Sequence, residues 1–111
     1  IFLGVDVKGQ EPPYVANAEV KAWWPHTEAL YALLLAYEVS GEAWCLDWYW
    51  RVHEWSFAHL ADKANGEWVQ RLDREGNVLK KYIALPVKDP FHLPRAVIYL
   101  IDVLERLAGA E

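Results

Sequence analysis

Glu28 and His92 are the side chains of this chain best placed to hold or move a proton. Glu28 lies in Trp23-Trp24-Pro25-His26-Thr27-Glu28-Ala29-Leu30, and His92 and Arg95 lie in Pro90-Phe91-His92-Leu93-Pro94-Arg95-Ala96. Each stretch marks the start of an apolar helical run. Imidazole titrates near neutrality, so His92 is a candidate general acid or base. The first N–H groups of a helix lack intrahelical acceptors and favour negative charge, so two such starts facing one hollow would suit an anionic intermediate. Glu28 also has a plainer use as a first-turn carboxylate that stabilises its helix dipole by about 0.3–1 kcal/mol. Arg95 is electrostatically misplaced at a helix start, because cations prefer the C-terminal end. It therefore pairs with Glu28 or a neighbouring carboxylate, or contacts ligand oxygens. Trp24 offers an apolar ring face either to a ligand or to the core. His26 lines the same hollow or is an ordinary exposed first-turn residue.

The elements that must position these groups form a repeat. Asp6-Val7-Lys8-Gly9 and Asp73-Arg74-Glu75-Gly76 superimpose at an offset of 67 residues, as do Lys21 and Lys88, Trp24 and Phe91, and Ala29 and Ala96. The unit reads hairpin, Lys-x-x-aromatic, helix, in that order twice, and a fixed period points to a repeat architecture. The opening residues to about Gln10 read as a strand and turn, and Glu11-Pro12-Pro13 ends any ladder because proline lacks the donor. Pro25 suits the first position of a helix. Leu30, Leu33, Leu34 and Tyr37 continue it at helical spacing until Ser40-Gly41. A second helix is expected from about Glu42 to Ala61, apolar nearly all round and so buried among several neighbours. Gly66–Leu72 and Val78–Tyr82 flank the turn residues 73–77 as a hairpin. Pro94 opens a last helix striped by Val97, Leu100, Ile101 and Leu104, ending near Gly109.

Composition narrows the class. With 111 residues, 54% hydrophobic and 24% charged, the chain fits one globular domain or part of one. No run approaches the roughly 18 apolar residues of a membrane helix, and the opening Ile1-Phe2-Leu3-Gly4 does not read as a targeting signal. The single cysteine, Cys45, cannot close an internal disulfide, which favours a reducing compartment and makes the cytoplasm the expected location. A net charge of −5 without a Lys/Arg stripe argues against a nucleic-acid partner. Seven Trp and six Tyr are many for a chain this small, which buries only about 60–70% of its unfolded surface, so some aromatic surface should face a partner.

Other chemistries lack their residues. His53 and His59 fall among aromatics without zinc-site spacing and read as packing residues. Cys45, between Trp44 and Leu46, has no basic neighbour to activate it. Neither a glycine-rich phosphate loop nor a serine-nucleophile motif occurs, and no metal or cofactor is expected.

Four segments carry a family resemblance: Trp23-Trp24-Pro25-His26-Thr27-Glu28-Ala29, Gly66-Glu67-Trp68, Leu72-Asp73-Arg74-Glu75-Gly76 and Pro90-Phe91-His92-Leu93-Pro94-Arg95-Ala96. In order and spacing they resemble the C-terminal motifs of the N-acylglucosamine 2-epimerase family, which includes renin-binding proteins and cellobiose 2-epimerases. The resemblance covers nearly the whole chain but only about the last third of a typical member. It implies a mainly α fold, antiparallel helices with β-hairpins, forming a C-terminal portion of an (α/α)6 barrel with its sugar site in the mouth. It implies epimerisation or isomerisation of a sugar through an enediolate, with His92 one of two acid/base histidines and Glu28 the active-site carboxylate. Trp24, His26 and Arg95 would border the substrate. Glu67 and Trp68 would be mainly structural, with Trp68 a candidate to touch the mouth. The second histidine and a substrate-gripping arginine belong to the rest of such a barrel, so the segment alone is expected to be inactive and to associate with itself or with a completing polypeptide. The alternative function is a helical protein-interaction module without catalysis, favoured by the surplus of aromatic surface.

Overall fold

A computed structural model of the chain describes residues 1, 8–10, 19–79, 88 and 90–109. The expected opening strand and the second arm of the 78–82 hairpin lie largely outside these residues. Within them the order is β1 (Lys21–Ala22), α1 (Trp23–Ser40), α2 (Ala43–His59), β2 (Ala61–Asp62), β3 (Glu67–Trp68), β4 (Arg71–Leu72) and α3 (His92–Gly109). Three long helices dominate, joined by short antiparallel strand pairs, as the hydrophobic periodicity requires.

Helix α1 starts two residues earlier than Pro25 suggests. Ala22 is held extended by the pairing of β1 with β4, and the Trp23 N–H donates to the Gln70 carbonyl at 3.2 Å, so the helix begins where the ladder ends. Pro25 and Pro94 each occupy the third helical position of α1 and α3, where a missing N–H costs nothing because no intrahelical acceptor exists there. The α1 stop is as read: Gly41 takes φ 69° and donates to the Tyr37 carbonyl at 2.8 Å, a left-handed cap that suits glycine. The turn is so short that α2 folds straight back along α1 as an αα-hairpin.

Helix α2 ends at His59 rather than Ala61, because Ala61–Asp62 pairs with Glu67–Trp68 instead. The turn between them is built by Asp62, whose Oδ1 accepts from the N–H groups of Ala64 and Asn65, and by Gly66 at φ 76°. Gly66–Leu72 is therefore not one hairpin arm. It divides: β3 pairs with β2, and β4 pairs with β1, so Trp68 and Leu72 both point into the core. The expected turn at 73–77 is present, with the Asp73 N–H donating to the Asn77 carbonyl at 2.9 Å and Leu72 bridging Val78. Gly76 sits at φ 97°, and a Cβ there would meet the His59 ring at 2.9 Å, so both backbone conformation and space demand glycine.

The two repeat lysines prove to be staples between units. Lys21 donates to the carbonyls of Asp73 and Arg74 and lies 5.2 Å over the Trp55 ring. Lys88 donates to Glu67 at 2.7 Å and to the Trp68 carbonyl at 2.5 Å, 5.8 Å over the Trp23 ring. Each ties the segment preceding a helix to a hairpin, and the nearly buried Lys88 charge is met by a carboxylate, as burial of a cation requires.

Helices α1 and α3 run parallel and in register. Glu28 meets Arg95 near their N-terminal ends, Tyr31 packs on Tyr99 at 5.3 Å, and Glu38 takes Arg106 at 2.5 and 2.9 Å near their C-terminal ends. These pairs are 67 or 68 residues apart, within one residue of the 67-residue repeat. Leu30 and Leu34 of α1, Tyr49 of α2, Leu60, Trp68, Leu72, and Leu100 and Val103 of α3 make one core. Helix α2 is less enclosed than its composition suggests. Cys45, Tyr49 and Ser56 are buried, whereas Trp44, Trp48 and Trp50 are about half exposed.

Truncating Leu34 to Ala should cost about 2–5 kcal/mol because the cavity is central. Val39→Ala, on the solvated side of the same helix, should change stability by less than about 0.5 kcal/mol. Urea unfolding of the two variants followed by circular dichroism checks the contrast.

Candidate functional site

The in-register packing of α1 and α3 brings their N-terminal ends side by side, and the expected chemical groups meet there. Glu28 Oε1 lies 2.8 Å from His92 Nδ1 and also accepts from Arg95 Nη2. All three side chains are 27–29% exposed, so the cluster is sheltered but reachable. Because α1 begins at Trp23, Glu28 is the sixth helical residue and not in the first turn. Its role as a stabiliser of its own helix dipole therefore gives way to pairing across the helix interface, since the dipole effect fades within one turn.

Arg95 is fixed from several sides. Its guanidinium carbon lies 4.7 Å from the Phe91 ring centre and 5.7 Å from that of Tyr99, and Tyr99 in turn packs on Tyr31. Cation–π contact and the carboxylate together offset the unfavourable helix-start position. Phe91, Tyr99 and Tyr31 are thus site residues that sequence reasoning passed over. The signal was available: Tyr31 and Tyr99 stand three and four residues after Glu28 and Arg95, on the same helix faces. Trp24, 41% exposed, lies 5.4 Å from His92 at a 32° tilt and gives the cluster an open apolar wall.

Two of the residues expected at the mouth lie elsewhere. His26 is 2% exposed. Its Nδ1 is 2.7 Å from the Ala22 carbonyl, its Nε2 is 2.9 Å from the Ile1 amino group, and its ring stacks on Trp55. Position 26 is two residues from Glu28, which on a helix turns the side chain to a different face, and here that face is the core. Trp68 is also buried, edge-on to Phe57 at 5.3 Å, with its carbonyl on Lys88. The core closes over both rings because β3 and the start of α1 pack against α2. His53 and His59 are ring-packed, His53 on Tyr49, Trp50 and Phe57 and His59 on Trp55, in keeping with their sequence reading. No group of three or more metal-ligating side chains occurs among the described residues.

The electrostatics follow from this placement. Partial burial pushes the Glu28 carboxyl up, but hydrogen bonds and charge from Arg95 and His92 outweigh it and hold the group below the ordinary carboxylate range. The Glu28 carboxylate is therefore ionised and able to orient the imidazole. Burial lowers the His26 pKa to about 4, against a smaller opposing effect of its bond to the Ala22 carbonyl, so this ring is neutral near pH 7.

Both groups bind protons more weakly in the folded state than in the unfolded one, so both destabilise the fold in acid, in different windows. Stability dependent on His26 is complete above its unfolded value of 6.5 and declines as pH falls toward about 4. Stability dependent on Glu28 is complete above 4.5 and declines below it. His26→Gln should flatten the dependence of unfolding free energy on pH between 6.5 and 4, and Glu28→Gln should flatten it only below 4.5. Urea titrations at stepped pH separate them.

The chain matches the N-acylglucosamine 2-epimerase family over residues 2–96. It is 38% identical to the N-acylglucosamine 2-epimerase of Rattus norvegicus over 91 residues, covering 82% of this chain and 21% of that protein. It is 35% identical to that of Bos taurus over 114 residues, covering 99% and 27%. Its fold superimposes on the cellobiose 2-epimerase of Spirochaeta thermophila DSM 6192 with a TM-score of 0.73 at 27% identity, over 82% of this chain and 23% of that one. The cellobiose 2-epimerase of Bacillus thermoamylovorans B4167 gives 0.67 at 26% identity, over 75% and 22%. The chain thus spans about a quarter of the length of these relatives, and its helices and hairpins are part of an α/α-barrel fold. With the matching region taking in α1, α2, the hairpins and the start of α3, the chain belongs to the N-acylglucosamine 2-epimerase family.

Proposed function

We propose that this chain carries one half of a sugar 2-epimerase or isomerase site, with His92 as acid/base, Glu28 as its orienting carboxylate, and Trp24 and Arg95 bordering the substrate. The observation that supports it most is the convergence of Glu28, His92 and Arg95, from positions 64 and 67 residues apart, beside the exposed Trp24 ring. Relatives of known activity act on sugars, and their names place the chemistry at C2.

The chemistry runs from the geometry. With Nδ1–H donating to Glu28, the lone pair of neutral His92 is on Nε2, and the carboxylate on the far nitrogen holds that tautomer and the ring's orientation. That nitrogen takes the proton from the carbon next to the open-chain carbonyl. The C–H electron pair moves into the C1–C2 bond, and the carbonyl oxygen becomes an enediolate oxyanion. The cationic Arg95 and the N-terminal N–H groups of α3 supply positive potential for that charge. Return of the proton to the same face restores the substrate, whereas epimerisation requires delivery to the opposite face. His26, His53 and His59 are engaged in packing, so the opposing acid/base comes from outside this cluster. The substrate-binding energy that the rest of such a site contributes is needed for rate as well.

This chain should therefore bind sugar weakly and not invert it. Titration with N-acetylmannosamine, mannose and cellobiose should change tryptophan fluorescence, since Trp24 is at the site, and Glu28→Gln and His92→Asn should each abolish the response. In heavy water the sugar recovered should keep its starting configuration at C2. A chain that shows no response to any of these sugars refutes the site and leaves a protein-interaction module as the better reading.

A further inference from the structure

Among the described residues Arg95 reaches Glu28 through a single nitrogen. Its Nη2 donates to Glu28 Oε1, the same oxygen that lies 2.8 Å from His92 Nδ1, and its enclosed Nε has no acceptor. A guanidinium held by one such bond can swing about it, because its long stem has many rotamers. Ring faces supply the rest of the restraint. The guanidinium carbon lies 4.7 Å from the Phe91 ring centre and 5.7 Å from that of Tyr99, and Tyr99 packs on Tyr31 at 5.3 Å and 42°. Phe91, Arg95 and Tyr99 follow one another at spacings of four along α3 and the residue before it, so they form a row on one face. Tyr31 stands three residues after Glu28 on the facing side of α1.

The two aromatic contacts differ in what else they touch. Phe91 also meets the His92 ring edge-on at 5.4 Å and accepts the Arg95 N–H on its carbonyl at 3.1 Å, so it acts on the imidazole and the helix start directly. Tyr99 touches the guanidinium and Tyr31, and among the described residues neither Glu28 nor His92. Whatever Tyr99 does to the imidazole passes through Arg95 and then Glu28.

From this we infer that Tyr99, backed by Tyr31, is a positioning residue: its ring face pins the Arg95 guanidinium on Glu28 Oε1, and the carboxylate so anchored holds the tautomer and direction of the His92 ring. The face of the ring supplies the restraint, not the phenol, since the Tyr99 hydroxyl makes no hydrogen bond among the described residues. An unpinned Arg95 leaves the carboxylate restrained by the imidazole alone, so the two side chains can turn together and the neutral ring can take either tautomer. Burial pushes the Glu28 carboxyl up, and Arg95 is the foremost of the groups that overcome it, so loosening Arg95 also removes part of what holds that carboxyl low. The bearing of Tyr99 on catalysis rests on the role proposed for His92; its hold on Arg95 and Glu28 does not.

The test uses the whole chain without sugar. Nitrogen-15 spectra recorded at alkaline pH should show the parent His92 ring protonated on Nδ1 and bare on Nε2, and the carbon-13 carboxyl signal of Glu28 should titrate below the ordinary carboxylate range. Tyr99→Leu keeps bulk but removes the ring face. It should mix the two tautomers and move the Glu28 midpoint up, in the direction that Arg95→Gln takes further. Tyr99→Phe keeps the face and should retain both parent readings. Tyr99 is partly exposed, so the Leu variant should keep its helical circular dichroism. Should it not, Tyr31→Leu, which removes the backing ring, is read in its place and should shift both signals the same way. An unchanged tautomer and midpoint in the folded variant overturn the inference, because a purely structural tyrosine alters stability without moving either reading. A parent ring protonated on Nε2, or a Phe variant that behaves like Leu, overturns it as well. A chain that passes this test and gives no fluorescence response to sugar keeps the positioning role and loses the epimerase reading; a chain that responds to sugar and fails this test does the reverse.

Discussion

The parallel, in-register packing of α1 on α3 is the constraint from which the rest of the molecule follows. Helices of two successive repeat units lie side by side at a nearly constant offset, so positions 67 or 68 residues apart face one another along the contact. An acid on one helix and a base one repeat later then become an ion pair with no special loop to bring them together. Glu28 with Arg95 and Glu38 with Arg106 are the two ends of the same ladder. Such solvent-accessible pairs contribute little stability singly, so apolar contact between the helices carries the association and the charges set its register. The cluster sits at the N-terminal end, where the starts of both helices place Glu28 beside His92 and Arg95.

Around that contact, the strand pairs and the two repeat lysines act as spacers. β1 with β4 holds the start of α1 against the hairpin that precedes α3, and Lys21 and Lys88 each thread a cation between an indole face and backbone carbonyls. This arrangement holds Trp24 and Phe91 near the cluster. It also turns Trp23, one residue away, into the core, so the tandem tryptophans divide between structure and site.

The division of labour extends to the histidines. His92 is half-sheltered and shares Glu28 with Arg95, an environment that can orient a base while leaving it reachable. His26 is enclosed, neutral near pH 7 and bound to the backbone of its own helix start. Two imidazoles, each in the opening turn of a helix and each within two residues of a proline, therefore have different uses. The cause is that α1 is covered by α2 on the face that position 26 occupies, whereas the corresponding second layer over α3 is open among the described residues.

Much of this was legible in the chain itself. The three helices, their stop at Ser40-Gly41, the turn at 73–77 and the 67-residue repeat follow from periodicity, proline and glycine placement, because these are local properties of the backbone. The Asn65-Gly66 turn was equally local and equally available, but the apolar run after it read as a single arm, and only the competing partners β1 and β2 divide it. Glu28, His92 and Arg95 were identifiable as chemical groups. The choice for Glu28 between its own helix dipole and a partner on α3, and for His26 and Trp68 between mouth and core, was not. Those outcomes depend on which faces of three helices are covered, and on contacts between residues more than sixty positions apart. Sequence specifies which groups each helix carries and on which face; only the packing of one helix against another decides which of those faces meets solvent, core or a second charge.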